Sequence, residues 1–363
     1  MFFIFISIFS LIIATGAIYA YSASLKLFTP WQRIIIGVGT ALGFMGVLML
    51  SRTENPNFLL AVVYFFAWIV GGTILYSIVL VPLLGILALV ARKLKNPQVR
   101  ITGTWILITV ACIASLFGIY QRTWIKITPY TLATSEPALI GKRIAVLADP
   151  QFNIANNNNL ARRITKQLNV IKPDAILMPG DIFDGATLKW NVLEEEFRKW
   201  SQIAPTFMAP GNHEEYGDYT TFLNLMRNNG ITTLEDETIT WNGITIAGFK
   251  YYGREKEAIG TEVINRVLAP INSELPLFII NHEPRYMDLF AKYQADLVVH
   301  GHTHGGQFWP LKYIVQQVYG RFWYGLNIVE STPIITSSGL GLAAFPSRLF
   351  NTPEIVLVTF IAQ

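Results

Sequence analysis

Apolar residues are distributed very unevenly along this chain. Four runs dominate the first third: Phe2 to Tyr21, Trp31 to Leu50, Phe58 to Ala91 and Thr104 to Tyr120. A helix needs roughly 20 such residues to cross the hydrocarbon core of a bilayer. The first run lacks a basic start and a processing site, so it is expected to be an anchor rather than a cleaved leader. In the second, Arg33 belongs at the interfacial end. The third contains Gly71-Gly72 and Pro82. At 1.5 Å per residue it would reach ~51 Å, long for one upright helix and short for two. Residues 1–121 are therefore expected to form an α-helical transmembrane bundle of four spans, or five if the third run divides.

Residues 122–141 read as a linker, punctuated by Pro129, Pro137 and Gly141. From residue 142 to 363 the pattern becomes that of a globular domain, and one local arrangement recurs. Short apolar runs end abruptly in polar side chains: Arg143 to Ala148 before Asp149, Ala175 to Gly180 before Asp181 and Asp184, and Thr206 to Gly211 before Asn212 and His213. Leu277 to Ile280 likewise precedes Asn281 and His282, and Asp296 to Val299 precedes His300 and a glycine-rich end. Runs of this length fit strands buried on both faces. Helical patterns at Thr187–Ile203 and Tyr219–Asn228 lie between them, and another follows Asn156–Asn159 through Leu160, Ile164 and Leu168. Sites in such sheets form just beyond the strand ends.

Composition sharpens this picture. The chain is 52% hydrophobic and only 14% charged, well below the quarter expected of a soluble domain. Its single cysteine, Cys112, lies in an apolar run, which excludes disulfides and thiolate-ligated metal. The net charge of +4 comes without a dense basic block, so no nucleic-acid partner is expected. The most basic loop holds Arg92, Lys93, Lys95 and Arg100. It should stay cytoplasmic, which places the domain after the last span on the outer face of the membrane. No charged residue lies inside the spans to mark a transport path, which disfavours a channel or carrier.

The five histidines are all accounted for by the motifs: His213, His282, His300, His302 and His304. In Gly301-His302-Thr303-His304 the alternation of an extended chain lets two imidazoles converge. Oxygen and nitrogen donors without sulfur suit manganese, iron or zinc.

The ordered set Asp149-Pro150-Gln151, Gly180-Asp181-Ile182-Phe183-Asp184, Gly211-Asn212-His213-Glu214, Asn281-His282 and Gly301-His302-Thr303-His304 resembles that of the calcineurin-like metallophosphoesterases. Gly306-Gln307, Ser337 to Gly341 and Arg348 to Glu354 look closer still to the membrane-anchored branch of that family. The resemblance implies an α/β domain of two packed mixed β-sheets flanked by helices. It also implies two divalent metal ions bridged by Asp181. Asp149 and His304 would complete one site, and Asn212, His282 and His302 the other. The activity implied is hydrolysis of a phosphodiester or pyrophosphate bond by a metal-bridging hydroxide. His213 is left as the catalytic residue, a donor to the transition state or to the leaving oxygen.

Gln151 departs from the pattern, since the family usually places a metal-binding histidine there. A glutamine carbonyl is a weaker and harder ligand, favouring loose binding or manganese and magnesium over zinc. Asp184, Glu214 and His300 are expected to orient the ligands or fill the core. After the metal motif, Phe308, Trp309, Tyr313, Tyr319, Phe322, Trp323 and Tyr324 are interleaved with Lys312 and Arg321. Rings mixed with cations suit a membrane interface, so Phe308, Trp309 and Trp323 are candidates for a lip that admits a lipid-linked substrate. Core aromatics beneath a long loop are the alternative. A broad phosphomonoesterase or nucleotide phosphodiesterase remains open, as does a catalytically silent metal-binding receptor or scaffold, for which Gln151 is the main support.

Overall fold

The computed structural model describes residues 2–50, 58–152, 158–184, 191–271, 274–342 and 347–363. The chain divides into two compact units, residues 1–120 and 121–363.

The first unit holds helices α1 (Phe2–Ser24), α2 (Pro30–Leu50), α3 (Phe58–Lys93) and α4 (Pro97–Gln121). Among the described residues, two stretches are long and apolar enough to cross a membrane: Phe65–Lys93 of α3 and Pro97–Gln121 of α4. Helix α3 runs unbroken through Gly71-Gly72 and Pro82. Buried polar groups join the helices. Ser24 and Thr104 hydroxyls lie 2.8 Å apart, and the Tyr21 hydroxyl donates to Ser77 O at 3.1 Å.

The second unit stacks two six-stranded mixed sheets. One has the order β1 (Lys126–Thr134), β12 (Glu354–Ala362), β2 (Arg143–Val146), β3 (Ala175–Pro179), β4 (Thr206–Ala209), β5 (Ile231–Thr233). The other runs β10 (Gly325–Val329), β11 (Thr332–Thr336), β9 (Leu297–His300), β8 (Leu277–Ile280), β7 (Ile244–Gly248), β6 (Glu237–Trp241). The five strands expected before the polar motifs are β2, β3, β4, β8 and β9. Within each sheet they run parallel, β2 to β3 to β4 and β8 to β9.

Alternation along these strands sorts the core into layers. Ile144, Val146 and Leu177 meet Ile246, Phe278, Ile280 and Val299 between the sheets. On the outer face of the first sheet, Ala145, Ile176 and Met178 pack under α5 (Asn158–Ile171), α6 (Asn191–Ile203) and α8 (Tyr219–Asn228), through Ile164, Phe197 and Phe222. The second sheet is covered by α9 (Glu257–Leu268) and α10 (Met287–Lys292). Helix α7 is one turn, Asn212–Glu215, and α11 spans Leu311–Tyr319. Of the helical patterns read from the sequence, positions 187–190 and 156–157 lie outside the described residues.

The linker expected over residues 122–141 is corrected by β1, which pairs in parallel with β12 along its whole length. It is an edge strand, where Pro129 costs no ladder hydrogen bond.

Candidate metal centre

Both sheets send their strand ends to one place. Asp149, Asp181 and Asn212 follow β2, β3 and β4, while His282, His302 and His304 follow β8 and β9. Five positions in these turns need unusual backbone: φ is +49° at Asp149, +43° at Gln151, +53° at Asp181, +69° at His302 and +49° at His304. Left-handed backbone is rare for such residues, and its clustering here marks a constrained functional site.

One half of the cluster is tight. Asn212 Oδ1 lies 3.0 Å from His282 Nε2 and 2.9 Å from His302 Nδ1, and the two imidazole nitrogens are 3.1 Å apart. Asp181 Oδ2 is 3.2 Å from His282 Nε2. His282 Nδ1 donates to Pro179 O at 2.7 Å, so its Nε2 faces the cluster. Two imidazole nitrogens, one amide oxygen and one carboxylate oxygen thus converge, a set that fits a divalent cation once His282 gives up its proton. The ligand atoms of Asp181, His282 and His302 all fall within 4.8 Å of one another.

Charge distribution follows the same geometry. Burial opposes a charge on His282, yet the Asp181 carboxylate lifts its pKa to about 10. Burial also opposes ionisation of Asp181, but the imidazoles of His282 and His213 hold it well below the ordinary range. His302 is pushed down to about 4 by burial and by the neighbouring His282. Without a metal, a charge on His282 therefore balances the Asp181 carboxylate.

The other half is looser. His304 Nε2 is 3.9 Å from Asp149 Oδ1. Both Asp149 oxygens accept from His302 N, at 2.9 and 3.0 Å. Gln151 Nε2 donates to Asp181 Oδ2 at 3.2 Å, turning the amide nitrogen towards the carboxylate. Burial pushes Asp149 up to about 7, against the pull of His282. His304 falls well below its usual value through burial and the adjacent Arg348.

Three predicted neighbours take distinct places. The buried Glu214 carboxylate accepts from four backbone amides: Gly211 at 2.7 Å, Asp181 at 2.9 Å, Ile182 at 2.7 Å and Phe183 at 3.2 Å. It clamps the Asp181 and Asn212 turns together. A side chain at Gly211 would collide with Asp181 Oδ1, and one at Gly301 with Asp149 Oδ2. Asp184 Oδ1 sits 3.0 Å from His213 Nδ1, and His213 Nε2 is 3.8 Å from Asp181 Oδ2. Burial disfavours the charged ring of His213, but Asp181 and Asp184 raise it to about 9. His300 lies apart from the cluster, packed on Phe290, with Nδ1 2.7 Å from Asn281 O.

Other residues at the centre were not assigned to it from the sequence, where Arg348 figured only in the Arg348–Glu354 motif and Tyr319 only in the aromatic segment. Arg348 is fully buried. Its guanidinium donates to Gly341 O at 3.0 Å and Ser338 O at 2.7 Å, and Nη2 lies 3.3 Å from His304 Nδ1. Tyr251 stacks on His302 with ring centroids 6.0 Å apart, and Tyr319 meets the same ring edge-on at 6.0 Å. The aromatic segment surrounds a cavity of 270 Å³ beside the His304 turn, lined by Phe308, Trp309 and Trp323 together with Lys126, Lys312 and Phe350.

Comparison with known proteins points the same way. The family model described as calcineurin-like phosphoesterase matches residues 142–306. A Helicobacter pylori protein described as an uncharacterised metallophosphoesterase is 27% identical over 253 residues, covering 68% of this chain and 67% of its own. A counterpart from Aquifex aeolicus is 27% identical over 258 residues, covering 68% of this chain and 97% of its own. A Danio rerio transmembrane protein with a metallophosphoesterase domain is 25% identical, over 60% of this chain and 53% of its own.

Proposed function

We propose that the chain is a calcineurin-like metallophosphoesterase, a metal-dependent phosphoester hydrolase associated with a membrane, and that it cleaves a phosphodiester or pyrophosphate bond in a lipid-linked substrate. The observation that carries the reading is the convergence of the ligand atoms of Asn212, His282, His302 and Asp181 within about hydrogen-bond distance of one another.

In this reading Asn212, His282, His302 and Asp181 would hold one divalent ion, and Asp149, His304, Asp181 and the weak donor Gln151 would hold a second. Bound divalent ions supply Lewis-acid chemistry, lowering the pKa of water and neutralising phosphoryl oxygens. Manganese fits the donor set better than zinc, because Gln151 offers a hard amide where an imidazole would favour zinc.

The chain's own groups do the rest. His213 is held by Asp184 at Nδ1, with Nε2 on the Asp181 side of the ring. Its pKa of about 9 keeps it protonated at neutral pH, ready to hydrogen-bond the phosphoryl group or give a proton to the leaving oxygen. Glu214 keeps the two turns in register. The aromatic lip of Phe308, Trp309 and Trp323 supplies apolar surface for the hydrophobic part of the substrate. The membrane half is multi-pass, and the basic Arg92–Arg100 loop puts the hydrolase domain outside the cytoplasm.

The test is hydrolysis of bis(p-nitrophenyl) phosphate by the detergent-purified full chain with manganese, beside Asp181→Asn. Activity confined to the unmodified protein supports the hydrolase. Absence of activity with manganese, iron and zinc alike supports a silent metal-binding receptor. For the lip, Trp309→Ala with Trp323→Ala is expected to slow a lipid-linked ester more than the soluble diester, and equal losses would remove the lip from the account.

A further inference from the structure

Helix α11 carries Leu311, Ile314, Val315 and Val318 at the i, i+3, i+4, i+7 spacing of one apolar face. No residue of the helix is buried: Ile314 is 60% exposed and Val318 49%. Helices of a water-soluble surface do not normally leave such a stripe uncovered. Beyond this helix the surface continues in kind, with Phe350 70% exposed and Trp124 53% exposed. Lys312 of α11 and Phe350 line the same cavity.

A second observation says what covers this surface. The Gln121 side chain accepts from Phe350 N at 3.0 Å and donates to the Thr352 hydroxyl at 3.0 Å. Gln121 is the residue at which the last membrane-length apolar stretch stops. The loop that carries Phe350 is thus fastened to the residue at which α4 ends, and Trp124 follows three residues later. Cations accompany the rings: Lys312 Nζ lies 5.1 Å from the Tyr313 ring and the Arg321 guanidinium 4.8 Å from the Phe322 ring. That mixture suits anionic headgroups above an acyl boundary. At its far end α11 reaches the metal centre, where Tyr319 touches His302 and donates to Glu283 Oε1 at 3.0 Å.

We propose that α11 and Phe350 form a bilayer-docking surface, with Ile314 and Val318 in the interfacial layer, so that one helix connects the lipid surface to the metal centre. This deepens the lipid-linked reading but does not depend on turnover.

The test uses the full chain in nanodiscs of phosphatidylcholine and phosphatidylglycerol, with Cys112→Ser as background. Ile314→Cys, Val318→Cys or Phe350→Cys is labelled with an environment-sensitive fluorophore, and Val170→Cys, 71% exposed on α5, is the control. Labels at 314, 318 and 350 are expected to shift to the blue and to lose most of their emission when spin-labelled lipid is added, while position 170 is unaffected. Emission at the three positions that matches position 170 overturns the proposal. A blue shift that spin-labelled lipid does not quench overturns it too, assigning the face to a protein partner. Because lipid contact is read and not hydrolysis, failure here leaves the metal-dependent hydrolase standing.

Discussion

The two halves of the candidate centre share Asp181 yet are built to different tolerances. Around Asn212, ligand atoms lie 2.9–3.0 Å apart, and the orientation of the His282 ring is fixed by Pro179 O. Around Asp149, the nearest imidazole nitrogen of His304 is 3.9 Å away, an amide stands at Gln151, and a buried guanidinium sits 3.3 Å from the His304 ring. An oriented ring and ligand atoms that already converge lower the cost of assembling a site around a cation. A nearby fixed positive charge raises that cost. If both halves bind an ion as proposed, the Asn212 half is the one already assembled and the Asp149 half the one expected to bind more weakly.

The largest effect is expected at the shared residue. Asp181→Asn removes the carboxylate common to both halves, and activity should fall about 10³-fold or more while the melting temperature changes little. Residual activity within tenfold would place the essential carboxylate elsewhere. Glu214→Gln comes next. It sets an NH₂ group among four amide donors in a dry pocket, so unfolding stability should drop by about 3 kcal/mol, read from denaturant midpoints. A loss below about 1 kcal/mol would show that the clamp is dispensable.

A smaller effect concerns protons. His282 is charged in the metal-free state up to about pH 10, so binding at the tight half must displace its proton. Affinity should therefore rise with pH through the neutral range, by about tenfold per unit where one proton is released. Calorimetry in buffers of different ionisation enthalpy checks this. Affinity that is flat between pH 6 and 9, roughly the range spanning neutrality, contradicts it. Least is expected of Gln151→His, which should make the loose half resemble the tight one and raise its metal affinity by about tenfold.

The sequence revealed the tight half better than its supports. Apolar runs that end in Asp, Asn or His are visible in one dimension, because strand and ligand are neighbours along the chain. Glu214 was legible only as part of a motif, since its partners at Asp181, Ile182 and Phe183 are backbone amides some thirty residues upstream. Arg348 has main-chain partners as well, and nothing in its own neighbourhood announces a buried cation. Strand β1 was hidden for another reason: at an edge it alternates weakly, and Pro129 reads as punctuation until its one-sided pairing with β12 is known. Strand β6, exposed along most of its length, lacks the apolar signature altogether.

The inequality of the two halves is tested most directly by titrating the metal-free full chain with manganese and following free ion by electron paramagnetic resonance. Two classes of site are predicted, with His282→Ala removing the tighter class and Asp149→Ala removing the weaker. A single class of equal sites, or loss of the tighter class in Asp149→Ala alone, would contradict the account.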